Sequence, residues 1–210
     1  MLRTIGLLLA ALLAVAGCGR EAPPPEAAAS TEYMRPVGEL AETDAMLFRA
    51  AGMGDVAAIE EALELGADIN VTDEIRRTPL FGAAFLGRDE AVRLLIERGA
   101  RLDIDDQNGF APLHAAVVGG GKEATAALIA LGADIDERTL GGRTSLHLAA
   151  ATNQPALVDL LLEKGANPRR KDRDGLTPAA LAVRNGHAAV ADRIKAWIAT
   201  NRAQTRPQSG

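Results

Sequence analysis

Two patterns of apolar and polar residues alternate along the middle of the chain. One is a short, Ala-rich stretch, as at Ala83-Ala84 and Ala149-Ala150. The other is longer and amphipathic, with apolar residues three and four positions apart at Val92, Leu95 and Ile96. Such spacing places the apolar side chains on one face of an α-helix. The alternation therefore predicts pairs of helices, with a polar, turn-rich segment after each pair.

The helix pairs recur with a period of 33 residues. The short stretches are -TPLFGAAFLG-, -APLHAAVVGG-, -TSLHLAAATN- and -TPAALAVRNG-, starting at Thr78, Ala111, Thr144 and Thr177. A second marker, Gly-Ala, keeps the same spacing at Gly66, Gly99, Gly132 and Gly165. A fixed period of this length is typical of stacked supersecondary units that bury one continuous core.

Local chemistry sets the ends of the predicted helices. Thr78-Pro79 and Thr177-Pro178 place a capping hydroxyl before a Pro at the first helical position, where a missing N–H costs nothing. Gly132 is predicted to follow the third long helix in the left-handed conformation, which Gly adopts without strain at Cβ.

These units resemble ankyrin repeats. The family pattern Asp-x-x-Gly-x-Thr-Pro-Leu-His is matched from Asp106 to His114, with Ala111 in place of Thr, and Gly-Ala-Asp-Ile-Asn is intact at Gly66–Asn70. Arg76 and Asn153-Gln154 depart from the pattern at single turns. The resemblance implies an all-α solenoid at 41–201, in which five helix-turn-helix units carry projecting β-turn fingers. The expected units are 43–71, 72–104, 105–137, 138–170 and 171–201.

The first residues have the layout of a bacterial lipoprotein signal. A basic start and an apolar run precede Val15-Ala16-Gly17-Cys18, and the run is shorter than the roughly 20 residues of a membrane span. Val15–Cys18 resembles a lipobox, which implies that 1–17 is a signal peptide and that Cys18 carries lipid. The alternative is an ordinary cleaved signal. Because Cys18 is the only cysteine, it cannot form an internal disulfide.

The segments beside the repeats have a different composition. Residues 18–40 are rich in Ala, Glu and Pro, including Pro23-Pro24-Pro25, so we expect a disordered, semi-extended tether. Residues 202–210 lack apolar periodicity and are expected to form a disordered tail. The lipid on Cys18 would hold the chain in the cell envelope, and in a Gram-negative bacterium on the periplasmic side of the outer or inner membrane.

The sequence lacks a recognisable catalytic constellation. His114, His147 and His187 occupy positions where the ankyrin resemblance implies structural hydrogen bonds. Ser145 lies two residues from His147, but no acid that would orient the ring is evident. The sequence therefore predicts that the protein is not an enzyme and uses no cofactor.

Two segments raise binding alternatives. Gly119-Gly120-Gly121-Lys122 has some likeness to a phosphate loop but lacks its spacing, so an inter-helix turn is predicted. Asp103, Asp105 and Asp106 could attract calcium weakly, but they are out of register with an EF-hand loop, and a solvated finger is favoured. We therefore expect no metal site, and no aromatic-basic platform for nucleic acid is present.

The ankyrin resemblance implies that a partner protein binds along a strip of finger tips and exposed sides of the short helices. Several of the implied positions are apolar where the fold does not require burial, which is typical of an interface, and Phe85 and Phe110 are expected to be anchors. The alternative for each side chain is that it shields a helix end. The implied positions are Glu74, Ile75, Arg77, Phe85, Leu86, Gln107, Asn108, Phe110, Val118, Leu140, Arg143, Thr152, Arg173, Asp174, Leu176 and Arg184.

Charge is divided along a chain whose net charge is −5. Acids dominate between Glu39 and Glu74, and bases dominate the last unit and tail. This division either orients a partner or only solubilises the two ends. The predicted function is a membrane-anchored module that binds another protein and is itself monomeric. The alternative is an inhibitor or immunity-type protein that plugs a toxin or envelope enzyme.

Overall fold

The computed structural model describes residues 40–201, which fold into ten α-helices without a β-strand. Residues 1–39 and 202–210 lie outside the described residues, and with them the predicted signal peptide, Cys18, nearly all of the tether and the tail. The helices are α1 (Glu42–Met53), α2 (Val56–Glu64), α3 (Pro79–Phe85), α4 (Asp89–Glu97), α5 (Pro112–Gly119), α6 (Lys122–Ala130), α7 (Ser145–Ala151), α8 (Pro155–Glu163), α9 (Pro178–Arg184) and α10 (Ala188–Thr200).

The ten helices form five consecutive pairs, one pair for each predicted unit. The first helices of the pairs stack on one another in the order α1, α3, α5, α7 and α9, and the second helices form a parallel row from α2 to α10. This arrangement confirms the predicted all-α repeat fold. None of the helices within residues 40–201 combines the length and the hydrophobicity that crossing a bilayer demands.

The predicted helix ends are confirmed. The Thr78 hydroxyl accepts a hydrogen bond from the Phe81 N–H at 3.1 Å, and Thr177 caps α9 in the same way. Gly132 follows α6 with φ 105°. Arg76 and Asn153, which depart from the family pattern, also have positive φ, at 66° and 56°. Each therefore keeps the left-handed turn that the pattern assigns to Gly, and the fold is unchanged there.

The core is a continuous double row of leucines. Leu80, Leu113 and Leu146 come from the first helices, Leu95 and Leu128 from the second, and all five are fully buried. Burying one such side chain contributes about 1.5–3 kcal/mol. Because each helix pair contributes side chains to the same core, no unit completes its core without a neighbour.

Two buried histidines, in units 3 and 4, bond to backbone carbonyls at or beyond the end of their own unit. His114 Nδ1 accepts from the Ala111 N–H, and Nε2 donates to the Glu137 carbonyl, both at 3.1 Å. His147 repeats this with the Thr144 N–H and the Leu176 carbonyl. Burial lowers the pKa of His114 to about 4 and also lowers the pKa of His147. Both rings are therefore neutral, structural groups, as the sequence predicted.

Candidate partner-binding surface

Each finger is closed by the side chain at its start. Asp106 Oδ1 accepts from the N–H groups of Asn108 and Phe110, at 2.7 and 3.0 Å. Asp172 Oδ1 does the same for Asp174 and Leu176. A short carboxylate can fold the backbone that follows it in this way. The finger tips are thus held in one conformation before any partner binds.

Backbone hydrogen bonds also connect neighbouring fingers. Units 2 to 5 meet at three junctions. At each junction, the N–H of a tip residue donates to a carbonyl of the preceding finger. The bonds run from Gln107 to Ile75 at 3.0 Å, from Leu140 to Asn108 at 3.1 Å and from Arg173 to Gly141 at 3.0 Å. The four tips therefore form one continuous ridge, on which Glu74, Gln107, Leu140 and Arg173 are all exposed.

The residues at the base of the fingers repeat every 33 positions, at Arg77, Phe110, Arg143 and Leu176. They were predicted to be exposed, but the first three are buried. Arg143 and Asp172 form an ion pair with 3.6 Å between Nε and Oδ2. The Phe110 ring packs edge-on against His114, with 5.8 Å between ring centroids, and the Arg77 guanidinium lies 5.5 Å from the centre of the Phe81 ring. The prediction that Arg77, Phe110 and Arg143 face a partner was wrong, because all three side chains are buried against the repeats. Leu176 in the last unit is half-buried.

Phe85 is also buried, with 5% of its surface exposed. Its carbonyl lies so close to Gly119 of the next unit that a Cβ added to Gly119 would be 1.9 Å from the Phe85 oxygen. Backbones approach this closely only where a residue has no side chain. The end of α5 therefore covers the end of α3, and Phe85 belongs to the core. The prediction that Phe85 and Phe110 are surface anchors was wrong.

The remaining predicted positions form a narrower surface, which we call the finger strip. Leu140, with 56% of its surface exposed, is its largest exposed apolar side chain at a finger tip. The exposed members are Glu74, Gln107, Leu140, Arg173, Asp174 and Arg184. The half-buried members are Ile75, Leu86, Asn108, Val118, Thr152 and Leu176.

Sequence analysis missed three exposed neighbours of the strip: Arg138, Lys171 and Val183. Arg138 and Lys171 each precede the residue that closes a finger, and this register is at least partly exposed in units 2 to 5. The 33-residue repeat therefore indicates that Arg138 and Lys171 are exposed, although sequence analysis did not use it. Val183, which is 53% exposed, occupies a register that is buried in the three preceding units. It is exposed because no described helix stacks beyond α9.

Charge changes sign along the strip. In units 2 and 3, burial and then the carboxylates of Asp105, Asp134 and Asp103 raise the pKa of Glu137 to about 7. In unit 5 the basic side chains dominate. Arg184 is paired with Asp174 at 3.4 Å, with both groups exposed, whereas Lys171 and Arg173 make no ion pair with any residue in 40–201. The row of fingers that carries the strip thus has an acidic part beside a basic part.

The structure gives little support to a nucleophile–base pair at Ser145 and His147, to a phosphate loop at Gly119–Lys122 or to a calcium site. The Thr144 N–H and hydroxyl occupy Nδ1 of His147, and Ser145 Oγ is buried without a hydrogen-bond partner in the described region. Gly119 ends α5, Gly120 forms a turn with φ 80° and Gly121 precedes α6, which confirms the predicted inter-helix turn. Over residues 40–201, no group of His, Cys, Asp and Glu has the geometry of a metal site.

The comparisons with known proteins agree with the repeat architecture. A family model described as ankyrin repeats (3 copies) matches residues 47–139 and 123–196. The two matches together span well over half of the 210-residue chain. A search of curated proteins finds no match.

Proposed function

The chain belongs to the ankyrin-repeat family, whose repeats mediate protein–protein interaction, and we propose that it is a lipid-anchored protein-binding module of a bacterial cell envelope. The observation that carries the proposal is the ridge of finger tips. Backbone bonds of 3.0–3.1 Å fix the tips relative to one another, and their side chains point outward with mixed polarity. A surface ordered before binding loses less conformational entropy when a partner docks.

The proposed anchor is Cys18. The stretch Val15-Ala16-Gly17-Cys18 follows an apolar run with a basic start, and lipidation of this cysteine would leave the repeats linked to the membrane by the Ala/Pro/Glu-rich tether. Two or more acyl chains give stable anchoring, whereas one chain binds only marginally. We place the module on the periplasmic side of the envelope, where its finger strip would meet other envelope proteins.

We propose a binding role and not a catalytic one. Both ring nitrogens of His114 and His147 are already hydrogen-bonded within the fold, and a general base needs a free nitrogen within reach of a substrate proton. The family is generally made up of non-enzymatic interaction modules. The buried histidines therefore support the stack instead of acting on a substrate.

Affinity capture tests the proposal. Full-length wild-type protein is compared with a strip variant carrying Gln107→Ser, Leu140→Ser and Arg173→Ser. The control carries Arg93→Ser, Glu163→Ser and Lys164→Ser on the row of second helices, α2 to α10, which we call the outer helices. We expect envelope extracts to yield a protein, identified by mass spectrometry, that the wild type and the control retain and the strip variant loses. A partner retained equally by all three proteins would contradict binding at the strip.

A further inference from the structure

Two arginine side chains approach one another on the fingers of units 4 and 5, beside the backbone of the exposed Lys171. The Arg138 guanidinium donates from Nη2 to the Lys171 carbonyl at 2.9 Å. A Cβ built on Gly142 would lie 2.7 Å from Arg138 Nη2 and 3.2 Å from Arg173 Cγ. Both arginine side chains therefore pass over the same glycine, and its lack of a side chain allows them to approach. We call Arg138, Lys171 and Arg173 the basic cluster.

Nothing in residues 40–201 neutralises the basic cluster. The one hydrogen bond that its side chains make within these residues goes to a neutral carbonyl. Three of the carboxylates nearest in sequence have other partners: Asp172 pairs with Arg143, Asp174 with Arg184 and Asp136 with Arg170. The fourth, Glu137, precedes Arg138 directly but makes no ion pair with it. Like charges held together on a surface raise the local positive potential, which attracts groups of opposite charge.

An apolar side chain lies beside the cluster. Leu140 belongs to the same finger as Arg138, and its N–H is bonded to the Asn108 carbonyl, so its position on the tip is fixed. Arg173 binds the carbonyl of the following residue, Gly141, through its own N–H at 3.0 Å. A single exposed leucine has no significance by itself, but Leu140 shares a finger with Arg138 and precedes the residue to which Arg173 is bonded.

We propose that the fingers of units 4 and 5 bind an acidic segment of a partner protein, whose carboxylates contact the basic cluster and whose apolar side chain contacts Leu140. A guanidinium matches a carboxylate with two parallel hydrogen bonds, which suits Arg138 and Arg173. This inference rests on the proposed function and specifies the partner chemistry at the same strip.

The neighbouring acids favour a protein segment over a lipid surface. Asp105, Asp134 and Glu137 lie close enough together for their charges to raise the pKa of Glu137, and they precede the cluster in the same row of fingers. A bilayer with anionic head groups would bring negative charge against these acids as well as against the cations. A short acidic segment confines its charge to the cluster and avoids that repulsion.

The test is selection from a display library of random short peptides on full-length protein in detergent. We expect selected peptides to be enriched in Asp and Glu together with an apolar residue. Fluorescence anisotropy then measures their affinity for the wild type and for Arg138→Gln/Lys171→Gln/Arg173→Gln. The expected loss is about ten-fold, since each exposed ion pair contributes little alone. Arg93→Gln/Lys122→Gln/Lys164→Gln, on the outer helices, has the same net charge and should bind as the wild type does.

Two further measurements keep the inference falsifiable. Binding by the wild type should weaken as salt is added, because the contacts are exposed ion pairs, and this requires no variant to fold. Circular dichroism confirms that both triple variants are folded. Displacement of the peptide by glycerophosphoglycerol, the soluble head group of phosphatidylglycerol, at a concentration where glycerol has no effect would assign the cluster to lipid and overturn the inference.

The remaining outcomes separate the two proposals. Neutral or basic peptides that bind the strip, and that the basic-cluster variant retains, would overturn the acidic partner but support a protein-binding strip. Failure to enrich any peptide would also overturn the acidic partner. The proposed function would then stand or fall on the affinity capture with strip and outer-helix variants.

Discussion

Arg143 of unit 4 and Asp172 of unit 5 form an ion pair that is almost completely buried, with side-chain exposures of 7% and 1%. The same Asp172 carboxylate closes its own finger by accepting from two backbone N–H groups through Oδ1. One carboxylate therefore shapes a finger and joins it to the preceding unit. This dual role explains why the finger base is part of the fold and not of the binding surface.

Asp172→Ala should destabilise the protein by about 3–5 kcal/mol, because it leaves a buried guanidinium without its partner charge and removes the acceptor that closes the finger. Denaturant unfolding of the full-length protein measures the change. Asp174→Ala is the matched control, since its ion pair with Arg184 is exposed and should contribute about 1 kcal/mol or less. Equal costs for the two variants would contradict the role assigned to Asp172.

Phe85→Ala and Phe110→Ala should each lower the free energy of unfolding by about 3–5 kcal/mol, as expected for buried aromatic side chains. Leu95→Ala, in the core, should cost about 2–5 kcal/mol, whereas the exposed Leu140→Ser should change stability by about 0.5 kcal/mol or less. Urea unfolding midpoints give all four values. If both Phe variants behave like Leu140→Ser, the rings lie outside the core and the burial described here is wrong.

These residues show which features could be predicted from the sequence and which could not. The period, the Thr-Pro caps and the leucine rows depend on contacts within a unit or repeated in every unit, so the fold was predictable. The end of α3 at Phe85 lies against Gly119 of the next unit, and Arg143 is paired with Asp172 of the next unit. A residue viewed within its own unit gives no sign of such cover, and for this reason the predicted surface was too broad.

Glu137→Gln should stabilise the protein near neutral pH. Burial and three nearby carboxylates raise the pKa of Glu137 from its ordinary 4.5 to about 7 in the folded state. Between these values the unfolded chain loses the proton more readily, so rising pH removes stability. The thermal midpoint of the variant should therefore exceed that of the wild type at about pH 7 and approach it at about pH 4.5.

His114 acts in the opposite direction over an overlapping range. Its folded pKa of about 4 lies below the ordinary 6.5, so its contribution is complete above 6.5 and declines as pH falls toward 4. In Glu137→Gln this decline is no longer offset, and stability should fall more steeply on acidification than in the wild type. Glu163→Gln, an exposed acid at the end of α8, is the control. A Glu137→Gln profile parallel to that control would contradict the pKa shift.

Cys18→Ser should abolish incorporation of radiolabelled fatty acid and release the protein from the membrane fraction, because no other cysteine is present to receive the lipid. The measurement is autoradiography together with fractionation of cells that produce the full-length chain. Persistent labelling of the Ser variant would mean that the anchor lies elsewhere. Labelling of the wild type at Cys18, with release of the variant, is the expected result.

Site-specific photocrosslinking in intact cells tests the central claim, that the finger strip is the surface that binds a partner. A benzoylphenylalanine replaces Leu140 on the strip in one full-length protein and Glu163 on the outer row of helices in another. We expect irradiation to yield a discrete, heavier protein adduct from position 140 and none from position 163. An adduct from position 163 with none from position 140 would place the interface on the opposite row of helices and contradict the account.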